Sequence, residues 1–391
     1  MNNHGAKYES YTRHLSTRLN RLALNKSVKF SHNLYKHPSK DLFVIGITGT
    51  NGKTTVSYLI GEVLKSAGYN TFVLGTLNSG NKDLSTPKSK DISNFMSTHV
   101  KQGGTHFVME VTSEGIDQER IDGIEFDIKI LTNITQDHLD YHKTFLNYKN
   151  TKLKFMNAGN AYKIFPRNFK KEPINFKPQL LGDFNHLNIK AAASALRHIG
   201  IDEKYIVGTL STCTAPRGRL EHVEKGQQFL VLIDYAHTPD GLLNVLMTVK
   251  EIALNRNGRL LVMFGCGGDR DQDKRAKMGS IASRIADYVV ITDDNPRSED
   301  GQEIINQITD GIEPEFHNFV SINDRARAIK YIINAANKND VVLLAGKGHE
   351  TYQIMKSKIL QFDDKEQASI AITKTLSPDI ARTYTSNLLF N

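Results

Sequence analysis

An apolar run, residues 42–48 (LFVIGIT), stops at Gly49-Thr50-Asn51-Gly52-Lys53-Thr54-Thr55, and a helical pattern opens there over 54–66. A strand that must turn at once into a helix, with glycines at the turn, implies a sheet whose strand ends open on a helix N-terminus. Glycines let backbone N–H groups approach a phosphate closely, and the helix terminus adds partial positive charge. Lys53 is placed to reach terminal phosphates, and the Thr54 hydroxyl to ligate Mg²⁺. The usual spacing puts a glycine five residues before Gly52, where this chain has Ile47; Gly46 and Gly49 lie on either side. The plainer alternative is a glycine-rich turn with a solvated lysine. The preceding apolar strand and the Lys-Thr-Thr ending weigh against it.

The rest of the chain repeats this alternation. Candidate strands at 70–75, 106–111 and 127–132 follow the first, with a further helical pattern near 185–198. A second series, with strands at 229–234, 259–264, 287–292, 317–321 and 340–345, carries helical patterns at 239–254, 275–285, 301–312 and 323–337. Strand–helix alternation implies parallel sheets covered on both faces. The expected architecture is α/β: a P-loop parallel-sheet ATPase domain at 41–215, then a Rossmann-like α/β domain at 216–391, divided near the polar stretch 211–217.

Charge separates residues 1–40 from both domains. The chain carries a formal charge of +8, and residues 1–40 hold eight lysines and arginines against Glu9 alone, so the remainder is nearly neutral. Within this basic extension, Tyr8, Tyr11, Leu15, Leu19 and Leu22 recur at three- and four-residue spacings, the pattern of an amphipathic helix. No run approaches the ~20 apolar residues that cross a bilayer. Two cysteines are too few for a disulfide framework. The expectation is a cytoplasmic protein with small-molecule substrates, no nucleic-acid partner and no membrane span.

Two more strand ends carry polar groups: Glu110 in MEVTSEG, and Asp137 and His138 in TNITQDHLDYH. Strand ends of a parallel sheet converge on the ligand crevice, so Glu110 and His138 are candidates to meet a Mg²⁺ held by Thr54. Histidine is an unusual Mg²⁺ ligand. A helix N-cap at Asp137 with two surface histidines explains the second segment equally well.

Taken together, TGTNGKTT (48–55), MEVTSEGIDQERI (109–121), TNITQDHLDYH (132–142), FNHLN (184–188), PRGRLE (216–221), DYAHTPD (234–240), GCGGDRD (265–271), DDNPRSED (293–300) and AGKGHETY (345–352) resemble the Mur ligase family, in order and over most of residues 42–370. The resemblance implies an ATP- and Mg²⁺-dependent ligase that activates a carboxylate as an acyl-phosphate and couples it to an amino acid. It gives Lys53 and Thr54 to the phosphates and first metal, Glu110 as another ligand, and His138 to a second metal. Lys152 matches a lysine that the family carbamylates; a solvated helix lysine is the alternative. Asn185, Asn188, Arg219, Asp234 and His237 match nucleotide-holding positions. Arg270, Asp294, Asn295, Arg297, Gly346 and Glu350 match residues that recognise meso-diaminopimelate. Ser85 and Thr86 correspond to a short motif that touches the muramoyl peptide.

The sequence departs from the family in three places. No counterpart of the UDP-binding N-terminal domain stands ahead of residue 42, only 29 residues separate Lys152 from Gly182 where the family has a longer excursion, and Glu114 occupies a position where many members have histidine. Three readings of the acyl acceptor follow. The chain uses a carboxylate without the UDP-muramoyl handle, or a partner protein supplies the missing domain, or the chain is a non-catalytic nucleotide-binding partner. The intact Lys53, Thr54, Glu110, His138 and Lys152 favour catalysis, and a plain kinase would need neither DDNPR nor GKGHE. With the amine set on the second domain, turnover is expected to need domain closure.

Overall fold

The computed structural model describes residues 37–79, 84–356 and 358–388; the helix read at 8–24 lies outside them. The chain forms two compact units. One runs up to Thr135 and resumes at Tyr141–Gln179 and Leu187–Cys213. The other comprises Gln136–Asp140, Leu180–His186 and the chain from Thr214 onward.

In the first unit, β1 (Phe43–Thr48), β2 (Thr71–Leu74), β3 (His106–Glu110), β4 (Ile128–Leu131) and β5 (Tyr162–Ile164) form a sheet of order β2-β3-β1-β4-β5. Every pairing in it is parallel. β1 lies at the centre, where Val44, Ile45 and Ile47 have no exposed surface. The order reverses at β1, so the carboxyl ends of β1, β3 and β4 share one crevice. Register brings Ile47 level with Glu110, and Thr48 level with Leu131. Helix Lys53–Ser66 leaves that crevice directly after β1.

In the second unit, β6 (Arg219–His222), β7 (Leu230–Asp234), β8 (Leu260–Phe264), β9 (Tyr288–Ile291), β10 (Phe319–Ser321) and β11 (Val341–Ala345) are ordered β10-β9-β8-β11-β7-β6. Only β6 runs antiparallel. Side chains alternate between faces as strand geometry requires. Leu260, Val262 and Phe264 pack with helices Pro239–Asn255, Lys274–Ile285 and Gly301–Thr309. Leu261 and Met263 face the layer built by helices Arg325–Ala335 and Asp364–Leu388. Burial on both faces explains why these strands read as unbroken apolar runs. A hairpin of β12 (Tyr352–Met355) and β13 (Lys358–Gln361) follows β11.

Candidate functional site

The loop after β1 is shaped by what its glycines admit. Gly49 has φ 149° and Gly52 φ 87°. A Cβ on Gly49 would lie 1.8 Å from Thr132 Oγ1, and one on Gly52 would lie 2.3 Å from Asn188 Oδ1. Residues following β4 fasten the loop. Thr132 Oγ1 donates to Asn51 O at 2.6 Å, Asn51 N to Asn133 Oδ1 at 2.9 Å, and Thr135 N to Thr50 Oγ1 at 2.9 Å.

Two lysines converge on one loop carbonyl. Lys53 Nζ donates to Gly49 O at 2.9 Å and to Thr50 O at 2.8 Å. Lys152 Nζ, on a side chain only 1% exposed, also donates to Gly49 O at 2.9 Å. Its ammonium lies 4.6 Å from the centre of the Tyr148 ring, whose hydroxyl pairs with Thr50 Oγ1 at 2.9 Å. Tyr148 and Lys152 stand one turn apart on helix Phe145–Asn157, so a single helix face presents both to the loop. Lys152 is therefore a buried group, not a solvated helix lysine.

Glu110, buried at the end of β3, collects hydroxyls. Its Oε2 accepts from Thr54 Oγ1 and Thr76 Oγ1, each at 3.1 Å, and its Oε1 accepts from Thr76 N at 2.8 Å. A Cβ on Gly75 would come within 2.2 Å of Oε1. Ser85 Oγ extends this chain to Thr76 Oγ1 at 2.8 Å. The Thr86 hydroxyl serves the backbone, donating to Glu110 O at 3.0 Å and accepting from Thr112 N at 2.9 Å.

In the second unit, Asp234 closes the turn after β7. Its two oxygens accept from Leu220 N and Ala236 N, both at 2.8 Å. The Arg219 guanidinium lies 4.8 Å from the Tyr235 ring centre. His237 Nδ1 pairs with Tyr235 O at 2.7 Å, and burial, reinforced by Lys274, pushes its pKa down to about 4, so the ring is neutral. Residues 136–140 and 180–186 belong to this unit, and with them His138 and Asn185. His138 has φ 53° and pairs through Nε2 with Asp137 Oδ2 at 3.3 Å. Burial alone would raise the Asp137 carboxyl; His138, His237 and Lys274 together hold it below its ordinary value. Asn185 Nδ2 donates to Leu181 O at 2.8 Å.

All six residues read as the amine set follow strand ends. Arg270 comes after β8, Asp294, Asn295 and Arg297 after β9, and Gly346 and Glu350 after β11. Asn295 is held by the protein: Nδ2 donates to Glu350 Oε2 at 2.8 Å, while Oδ1 accepts from Lys347 Nζ at 3.1 Å and Ile354 N at 2.9 Å. Gly346, at φ 106°, leaves room for Asp294, whose Oδ2 a Cβ there would meet at 2.7 Å. Arg297, at φ 55°, is gripped by its backbone: its N donates to Ile354 O at 3.1 Å and its O accepts from Lys356 N at 2.6 Å. Its Nη1 donates to Gly268 O at 2.8 Å. Arg270 is exposed, with Nη1 on Asp269 O at 3.1 Å.

Asp293, beside this set, supplies a pH-dependent prediction. Burial and then the neighbouring Asp300 push its carboxyl up to about 6 against the pull of Arg325, and its Oδ1 finds no donor among the described residues. A carboxyl whose pKa rises on folding has no penalty below its unfolded value near 4; the penalty is complete above about 6. Asp293→Asn is expected to leave stability unchanged at pH 4 and to raise it by on the order of 2 kcal/mol at pH 8. Urea midpoints at the two pH values check this; coincident midpoints at pH 8 contradict it.

Three residues the sequence reading passed over take part. Thr76 follows β2, and the convergence of parallel strand ends was signal enough to find it. Tyr148 lies four residues before Lys152 on the same helix. Lys347, fully buried between Gly346 and Gly348, left no pattern, because a lysine in a glycine-rich turn normally reads as solvated.

Residues 47–172 match the Mur ligase middle domain and residues 218–348 the Mur ligase glutamate ligase domain. A UDP-N-acetylmuramoyl-L-alanyl-D-glutamate–2,6-diaminopimelate ligase of Caldanaerobacter subterraneus is 38% identical over 387 aligned positions, covering 86% of this chain and 80% of the relative. The Bacillus cereus protein of the same name is 36% identical, covering 88% and 80%. Since 86% of 391 residues is about 336, about 50 of the 387 aligned positions face no residue in this chain. A solved ligase of that name aligns at TM-score 0.55 with 30% identity, covering 85% of this chain and 79% of that one. MurF ligase from Thermotoga maritima, in complex with ADP, shares the fold at TM-score 0.66 and 16% identity, covering 90% and 85%. With both family domains matched and relatives this similar along four-fifths of their length, the chain belongs to the Mur ligase family, as an ATP-dependent acid–amino-acid ligase.

Proposed function

We propose that the chain joins a diamino-dicarboxylic acid of the meso-diaminopimelate type to a carboxylate acceptor through an acyl-phosphate. The observation that carries this is the charge pattern after β9 and β11. The Asp294 carboxylate makes no hydrogen bond among the described residues, and Glu350 keeps Oε1 free while Oε2 is held, so two acceptors are left for an ammonium. Arg297 keeps Nε and Nη2 for a carboxylate, which a guanidinium grips bidentately. A substrate carrying both groups at its distal end satisfies all of them. The 2,6-diaminopimelate in the relatives' names supports the same choice.

In this reading the acceptor carboxylate attacks the γ-phosphate of ATP, and the incoming amine then attacks the acyl-phosphate carbonyl and releases phosphate. Lys53 and the N–H groups opening helix Lys53–Ser66 hold the phosphates. The Thr54, Thr76 and Glu110 oxygens are a donor set of the hard type that Mg²⁺ takes. His138 is assigned to a second metal on the family resemblance alone. Bound Mg²⁺ supplies charge neutralisation between carboxylate and triphosphate. Carbamylation at Lys152, which the resemblance implies, would exchange a buried cation beside Lys53 for an anionic oxygen ligand. We place this chemistry in the cytoplasm.

For the acceptor, the relatives' names favour a UDP-muramoyl dipeptide. The shortened stretch between Lys152 and Gly182 favours, as the second reading, a carboxylate lacking the nucleotide handle. Phosphate release from ATP, measured with each acceptor and each of meso-diaminopimelate, lysine, glutamate and alanine pairwise, decides both points. Meso-diaminopimelate is expected to lead by more than tenfold in kcat/KM, because facing Arg297 with a lysine ammonium costs on the order of 2–5 kcal/mol. Arg297→Ala should weaken that donor selectively. A better rate with lysine or alanine would sink the amine assignment.

A further inference from the structure

Lys347 is a fully buried ammonium, an expensive group that persists only with strong partners. It sits between Gly346 at φ 106° and Gly348 at φ 53°, and this left-handed backbone turns the side chain inward. Its Nζ donates to Glu350 Oε2 at 3.0 Å and Asn295 Oδ1 at 3.1 Å, and lies 5.6 Å from the Tyr352 ring centre. Asn295 completes the arrangement by donating to the same Oε2 at 2.8 Å.

We propose that Lys347 is the positioning residue of the amine site, fixing Glu350 through one oxygen so that the other faces the distal ammonium of the substrate. This inference rests on the reading of the amine site above. Glu350 would otherwise be a poor anion. Burial and the neighbouring Asp294 both raise its pKa, and only Lys347 and Asn295 pull it back. Arg325 and Tyr235 also interact with it electrostatically. Asp294, Glu350 and Lys347 sum to a single negative charge, which one substrate ammonium neutralises. Without Lys347, two carboxylates would face one ammonium, and Glu350 would take up a proton instead.

The sign follows directly. Substrate capture needs ionised Glu350, so kcat/KM for the amine falls on the acid side as Glu350 protonates; removing Lys347 moves that fall to higher pH. In the full chain with saturating ATP and the working acceptor, Lys347→Met is expected to shift the acid limb for meso-diaminopimelate up by about 1–2 pH units, the size of one close charge pair. Well below the limb the loss is about tenfold or more, and it is recovered at pH values above the shifted limb, with KM for ATP unchanged. Glu350→Gln should be low at every pH and lack this limb. The double variant should match Glu350→Gln alone, and because it leaves no lone buried charge it serves if Lys347→Met melts early. A Lys347→Met profile that superimposes on wild type overturns the role of Lys347 alone, as does a double variant that loses a further tenfold. A wild type preferring lysine or alanine overturns the amine site itself, and this inference with it.

Discussion

Lys53→Ala is expected to reduce ATP-dependent ligation by a hundredfold or more in kcat while the protein melts within a few degrees of wild type. The ammonium donates to the loop carbonyls Gly49 O and Thr50 O from a partly exposed side chain, so its loss costs stability about 1–2 kcal/mol. A charge aimed at a transferring phosphoryl group contributes far more to the transition state, where about 2.7 kcal/mol already equals a hundredfold. Phosphate release with saturating ATP and a melting curve on the same preparation check both halves. Near-normal turnover in a folded variant would remove the loop from the chemistry.

The largest stability effect is expected at Asp364→Ala. Arg325 and Asp364 both have no exposed side-chain surface and meet through Nε–Oδ1 at 2.8 Å and Nη2–Oδ2 at 2.7 Å. Arg325 also donates to Asp293 O at 3.2 Å and Ala345 O at 3.0 Å, fastening the ends of β9 and β11 to the start of the final helix. Removing the carboxylate strands a buried guanidinium and costs about 3–5 kcal/mol. For a unit of this size that lowers Tm by roughly 10 °C. Arg325→Met with Asp364→Leu should recover much of the loss, since an apolar pair leaves no lone charge. A melting temperature for Asp364→Ala within 2 °C of wild type would show that the pair contributes little.

The central strands of both sheets were legible because they are buried on two faces and carry apolar runs, whereas the edge strands β5 and β6, which expose polar positions, were not read. Other missed elements lack a clean apolar stripe. Helix Ser89–Lys101 turns Ser89, Ile92, Ser93, Met96 and His99 inward, a stripe in which only two residues are apolar. Helix Phe145–Asn157 buries Lys152 and exposes Phe145 and Leu146, the reverse of what periodicity expects. β13 is exposed at all four positions. At the candidate site, the glycine-rich loop and the strand-end carboxylates were readable because backbone geometry dictates those residue types. Tyr148 and Lys347 were not read, since their roles arise from side chains meeting across distant segments.

Arg297 is fastened through its main chain to the hairpin, at Ile354 and Lys356. In the proposed amine site, selectivity would thereby depend on hairpin length as well as on residue identity. Inserting or deleting one residue near the β12–β13 turn would shift the backbone partners at Ile354 and Lys356, and with them the reach of the guanidinium. Substrate preference in such a scaffold can thus drift through indels that leave every recognition residue in place, a route that comparing motifs alone would not detect.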